Sequence, residues 1–134
     1  MNKITADHLN LTVQDFEKTA SWYKDVFGFE IVERGLDVDG PWGVLKSGDF
    51  MLCIYESPNK EKPNEEATRA FHKIYHLGFR IRDRETWERT LVDLAIQTHC
   101  DSPVHYPHST SWYVKDPTGY MIEVALWDQD RIRF

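Results

Sequence analysis

The stretch Ala-Asp-His-Leu-Asn-Leu-Thr-Val at residues 6–13 returns, altered but recognisable, as Ile-Tyr-His-Leu-Gly-Phe-Arg-Ile at residues 74–81. Both copies alternate with a period of two, the mark of a strand with two unlike faces. In the first, Leu9, Leu11 and Val13 share one face and His8, Asn10 and Thr12 the other. In the second, Leu77, Phe79 and Ile81 lie opposite His76, Gly78 and Arg80. Such a chain is expected to fold as two like units, each opening on a His-Leu pair whose histidine points away from the apolar side. A lone strand histidine is ordinarily structural or solvated; two at matched places in a repeat call for a functional reading beside that one.

The residues after each copy are also alike. Asp15 is placed to cap a helix running to about Phe27, with Phe16, Ala20, Tyr23 and Phe27 as its buried stripe and Gly28 as its stop. Strands are expected over Phe29–Arg34, Trp42–Ser47 and Phe50–Tyr55, the last two joined at Gly48-Asp49. After the second copy, Asp83 can cap a helix whose stripe is Trp87, Leu91, Leu94 and Ala95. Ile96–Tyr106 is the least readable stretch and holds His99, Cys100 and His105, with His108 just beyond. Ser109–Lys115 and Tyr120–Trp127 read as strands about the turn Asp116-Pro117-Thr118-Gly119, where proline suits the second position and glycine accepts positive φ. The expected fold is α+β: two βαβββ modules in one domain spanning 1–134, module 1 at about 4–56, a linker at 57–73 and module 2 at about 74–128. The sheets would curve around a shared cavity.

Composition narrows the function. The 134 residues are one ordinary domain's worth and, at 41% hydrophobic, bury a real core. A net charge of −6 gives a nucleic-acid partner little electrostatic support. Asn59–Arg69 mixes charge signs and reads as a solvated loop. Cys53 and Cys100 form no CxxC pair and suit reduced thiols, no stretch approaches a membrane span, and a cytoplasmic protein is the expectation.

Three donors face the expected cavity by alternation: His8, His76 and Glu123. Two imidazoles and a carboxylate suit a divalent ion such as Fe2+, Mn2+, Zn2+ or Ni2+, with coordination positions left for substrate and water. The plain alternative is two half-buried histidines and a solvated glutamate. A carboxylate inside the strand Met-Ile-Glu-Val-Ala is costly to bury without a partner, which favours the metal.

These segments resemble the vicinal oxygen chelate superfamily of glyoxalase I, extradiol dioxygenases, fosfomycin-resistance enzymes and bleomycin-resistance proteins. The matching residues are His8–Val13 with Trp22–Phe29, His76–Phe79, and Tyr113–Glu123 through Asp116-Pro117-Thr118-Gly119. The resemblance covers nearly the whole chain. It implies paired βαβββ modules, a homodimer, and a metal on His8, His76 and Glu123 that chelates adjacent oxygens of a small-molecule substrate.

Within that superfamily the departures discriminate. Glyoxalase I has a fourth ligand, a glutamate, where alignment of the modules puts Cys53. Fosfomycin-resistance enzymes have cationic residues where Asp101–Ser109 has none, although Ser111 and Tyr113 match positions that contact the phosphonate; Arg131 and Arg133 could compensate or be solvated tail charges. Extradiol dioxygenases share the ending Tyr113, Asp116-Pro117-Thr118-Gly119, Glu123 and carry a histidine upstream, for which His105 and His108 are available. The resulting expectation is a metal-dependent enzyme leaning to ring cleavage, with His108 or His105 as acid/base and Tyr113 as hydrogen-bond donor. The alternatives are a glyoxalase-like isomerase or lyase, a fosfomycin-type thiol transferase, and a non-catalytic drug-binding protein using Trp42, Trp112 and Trp127.

Overall fold

Alternation of apolar and polar residues becomes two four-stranded sheets in the computed structural model, which describes residues 1, 4–61 and 74–130. The chain divides into two compact units, Met1–Lys62 and Pro63–Phe134. The expected linker residues 62–73, His72 among them, and the tail residues Arg131, Arg133 and Phe134 lie outside the described residues.

The first unit runs β1 (His8–Val13), α1 (Phe16–Phe27), β2 (Glu30–Leu36), β3 (Pro41–Ser47) and β4 (Phe50–Glu56). Its sheet has the order β1-β4-β3-β2, with β1 parallel to β4 and the other pairs antiparallel. The β1 alternation holds: Leu11 and Val13 are buried, His8, Asn10 and Thr12 exposed. Two carboxylates hold the start of α1. Asp15 accepts the Lys18 N–H at 2.9 Å, and Glu56 Oε2 accepts the Phe16 N–H at 2.9 Å. Both place negative charge at the positive end of the helix dipole. Gly28, at φ 68°, ends the helix in the left-handed region that glycine enters freely. Phe16, Ala20 and Tyr23 are buried as expected, but Val26 completes the stripe and Phe27 is only half-buried. Phe16, Tyr23, Leu45, Leu52 and Ile54 are fully enclosed, each such side chain stabilising the fold by about 1.5–3 kcal/mol. Gly43 makes that packing possible, since a Cβ there would stand 2.8 Å from the Phe16 ring.

The second unit repeats the order as β5 (Leu77–Ile81), α2 (Arg84–Asp93), β6 (Thr98–Tyr106), β7 (Ser109–Lys115) and β8 (Met121–Trp127), paired β5-β8-β7-β6. His76 therefore immediately precedes β5. Asp83 caps α2 by accepting the Thr86 N–H at 3.1 Å. The helix is shorter than its expected stripe: Trp87 is buried, whereas Leu94 and Ala95 lie past the end and are exposed. The core gathers Trp87, Trp112, Val114, Ile122 and Val124. The least readable stretch of the sequence is β6. Its pairing to β7 breaks between His99 and Val104, where Cys100 and Asp101 have φ of 57° and 54° and the Ser102–Pro103 bond is cis. A strand interrupted this way loses its alternation and reads as a loop.

The two units match in register. Leu77, Gly78 and Phe79 pair with Ile122, Glu123 and Val124 as Leu9, Asn10 and Leu11 pair with Leu52, Cys53 and Ile54. On the other side, Tyr113 pairs with Glu123 as Val44 pairs with Cys53. Cys53 thus occupies the place of Glu123. No described helix is long and apolar enough to cross a membrane.

Candidate functional site

Glu123 sits at the middle of β8, between Gly78 on one side and Tyr113 on the other. Cross-strand partners share a face, so Tyr113, Glu123 and Arg80 project from the side of the sheet opposite the Trp112–Val124 core. His76, entering β5, turns its Nε2 to within 3.0 Å of Glu123 Oε2. Side-chain exposures of 31% for His76 and 22% for Glu123 leave both reachable but largely desolvated. The buried Ser111, two residues before Tyr113 and on the same face, donates from Oγ to Glu123 Oε1 at 2.6 Å.

Tyr113 stands edge-on to His76, ring centroids 6.0 Å apart. Its hydroxyl meets that of Tyr106 at 2.8 Å, and its backbone N–H donates to Ser102 Oγ at 2.8 Å. Burial first, then the Tyr106 hydrogen bond and the Glu123 charge, hold its phenol far above the usual value. Tyr113 is therefore a neutral hydrogen-bond donor or acceptor, unsuited to act as a phenolate.

The other expected residues stand elsewhere. His8 lies in the first unit, where its Nδ1 meets Asp7 Oδ2 at 2.6 Å. Cys53 is half-buried, and burial, then the charge of Asp7, push its thiol up. That favours the packed thiol over the thiolate. His105 pairs in register with Thr110, on the face opposite Tyr113 and Glu123, and its Nδ1 lies 3.1 Å from Thr110 Oγ1. His108 is exposed in the turn between β6 and β7, its carbonyl accepting the Asp128 N–H at 3.1 Å. Asp128 is about 16 Å along the strand direction from Glu123, at the usual rise per residue. Within the second unit, then, neither histidine is brought beside Glu123. The histidine level with Tyr113 is His99, its cross-strand partner. It was hidden in the sequence by the same bulge that hid the strand.

The donor spacing fits a divalent ion. Metal bonds of about 2.0–2.2 Å meeting near a right angle separate two donor atoms by about 3 Å. The His76–Glu123 spacing of 3.0 Å is that of an N–H···O bond between the two side chains, and it is also compatible with two donors on one ion. The Ser111 bond supplies the outer hydrogen bond that ligating carboxylates ordinarily have. Among the described residues no three His, Cys, Asp or Glu side chains form a metal-holding group, so the second unit offers a matched pair.

A family model described as Glyoxalase/Bleomycin resistance protein/Dioxygenase superfamily matches residues 5–124. The chain belongs to the glyoxalase/bleomycin resistance protein/dioxygenase superfamily. Solved structures of that superfamily share its fold. A glyoxylase/bleomycin resistance protein/dioxygenase domain from Frankia sp. EAN1pec superposes with a TM-score of 0.79 at 16% identity, over 97% of this chain and 96% of its own. A glyoxalase family protein from Enterococcus faecalis gives 0.75 at 19% identity, over 90% and 96%. TnmS3, an antibiotic-binding protein from Streptomyces sp. CB03234, gives 0.69 at 19% identity, over 96% and 99%. No curated protein matches the sequence significantly.

Proposed function

We propose that this protein is a divalent-metal-dependent enzyme acting on a small molecule with two adjacent oxygens. The observation that carries the reading is the 3.0 Å approach of His76 Nε2 to Glu123 Oε2. His76 and Glu123 would hold the ion. Bound there, Fe2+, Mn2+, Zn2+ or Ni2+ would supply Lewis-acid stabilisation of charge developing on substrate oxygen. The chain's own residues do the rest. Tyr113, kept protonated, donates a hydrogen bond to a substrate oxygen. Ring cleavage further asks for a histidine that moves protons. We assign that role to His99, which shares the level of Tyr113, in place of His105 and His108.

Metal content and affinity, with a substrate panel on Fe2+- and Mn2+-loaded protein that includes catechols with oxygen uptake recorded, test this. Uptake with ring-opened product is the expected result; metal binding without uptake would leave isomerase, lyase or thiol-transfer chemistry, and no metal binding would remove the enzymatic reading.

One observation favours a second reading, a drug-binding protein without catalysis. Trp42 and Tyr55, a cross-strand pair in the first unit, stack with centroids 6.3 Å apart and planes at 21°. A flat aromatic ligand could extend that stack. Micromolar or tighter quenching of tryptophan fluorescence by such a ligand, unchanged after chelation of metal, would favour it.

A further inference from the structure

Taking Tyr113 as the hydrogen-bond donor to a ligand, as proposed above, we infer that the place now held by the Tyr106 hydroxyl is the subsite for a ligand oxygen, which binds by displacing Tyr106. The two hydroxyls lie 2.8 Å apart. Register puts both residues on the Glu123 face of the second unit, Tyr113 opposite Glu123 and Tyr106 opposite Ser109. Ser109 and Tyr113 stand four residues apart on β7, about 13 Å at the usual rise. The two phenols close that distance by leaning towards each other along the sheet. Between those two positions, on the same face of β7, is Ser111, which is completely buried. Tyr106 thus lies along the face as a strap, tied at its tip to Tyr113, and is itself 45% exposed.

The bulge in β6 brings Tyr106 to this face. His99 pairs with Tyr113 and Tyr106 with Ser109, so seven steps along β6 match four along β7. In an unbroken strand, residues seven apart point to opposite faces. The surplus is taken up around Cys100 and Asp101, whose φ of 57° and 54° lie in the left-handed region that side chains rarely enter. Ser102 closes the bulge, its Oγ donating to the His99 carbonyl at 2.5 Å and accepting the Tyr113 N–H at 2.8 Å. A strained insertion, clipped to the backbone of Tyr113, therefore sets Tyr106 against the Tyr113 hydroxyl.

Burial decides whose proton the pair shares. Tyr113 is half-buried, and a desolvated O–H needs an acceptor, whereas the exposed Tyr106 can give its own proton to water. Tyr113 donates and Tyr106 accepts. A phenol has a single proton, so a ligand oxygen takes it only by standing where the Tyr106 oxygen stands. The ligand this place accepts is a small molecule with an accessible hydroxyl or carbonyl oxygen.

Catechol binding by titration calorimetry under nitrogen, with metal content recorded in the same samples, tests the subsite. Tyr106→Phe keeps the ring and frees the Tyr113 proton. It is expected to bind catechol about 3–10-fold more tightly than wild type, because one hydrogen bond no longer has to be broken. Tyr113→Phe is expected to bind more weakly, and adding Tyr106→Phe to it should change nothing further, since no proton is left to free. A merely structural role for Tyr106 would shift affinity alike in both backgrounds. Weaker or unchanged binding by Tyr106→Phe, or an equal shift in the two backgrounds, would overturn the subsite and leave the proposed function standing. Catechol binding by none of the proteins would overturn both.

Discussion

His76 and Glu123, far apart in the chain, bring Nε2 and Oε2 to 3.0 Å because β5 and β8 are parallel neighbours whose register sets Gly78 against Glu123. If the pair holds an ion, each half is indispensable to it. His76→Ala and Glu123→Gln are each expected to lower divalent-metal affinity by more than about 100-fold, since even outer-shell partners of ligands contribute 10–100-fold. Titration calorimetry of the metal-free proteins gives the answer. Affinity equal to wild type in either variant would take that residue out of the site.

Tyr113 gives a spectroscopic prediction. Its phenol is raised by burial, then by the Tyr106 hydrogen bond and the charge of Glu123. Ultraviolet titration of Tyr113→Phe should match wild type up to about pH 10, because the missing phenol ionises only above that ordinary range. The raised value also bears on stability. It contributes stability below the unfolded value near 10, and that contribution fades as pH climbs towards the folded value. Wild type should therefore lose more thermal stability in alkali than Tyr113→Phe. Loss of a phenol titrating normally near 10 would contradict the placement.

The turn feeding Glu123 into the sheet is built on one carboxylate. Asp116 Oδ1 accepts the N–H groups of Thr118, Gly119 and Tyr120 at 3.0, 2.8 and 2.9 Å, and the residue is buried. Replacing it by alanine leaves those donors without that acceptor, an expected loss of about 3 kcal/mol. Calorimetric unfolding should show a midpoint lowered by roughly 10 °C. A drop of only a degree or two would mean that the turn forms without it.

Acid sensitivity should trace partly to Glu56. Its carboxyl is held below the usual value by the Lys60 hydrogen bond first and the Phe16 N–H second. A lowered folded value contributes stability above the unfolded value near 4.3 and loses it as pH falls through the folded value. Glu56→Gln should cost about 1 kcal/mol at neutral pH, the worth of a partly solvent-screened charged bond. The gap from wild type should narrow below about pH 4. A gap constant down to strong acid would point to packing in place of charge.

How far the sequence carried can be seen residue by residue. The α1 cap at Asp15, the stop at Gly28 and the two faces of β1 were legible because each is fixed by neighbours within one turn or two residues. The alignment of Cys53 with Glu123 was legible because both strands keep an unbroken alternation. Three features were not. The end of α2 was hidden, since Leu94 and Ala95 continue the helical spacing although the backbone has already left the helix. The β6 strand was obscured by the left-handed residues Cys100 and Asp101, which shift the pairing and put His99, not His105, level with Tyr113. The Ser111–Glu123 bond was invisible because it spans two strands diagonally, a relation that appears only once register is known.

A ladder of paired strands fixes where side chains stand and leaves open what they are. Because Trp42 and Tyr55 occupy the positions that Ser111 and Ala125 hold in the other half, the same scaffold presents a flat ring stack in one place and a tethered anion in the other. Exchanging ring for ring at Trp42 and Tyr55 would thus alter the aromatic half while leaving the Ser111–Glu123 bond of the other half untouched.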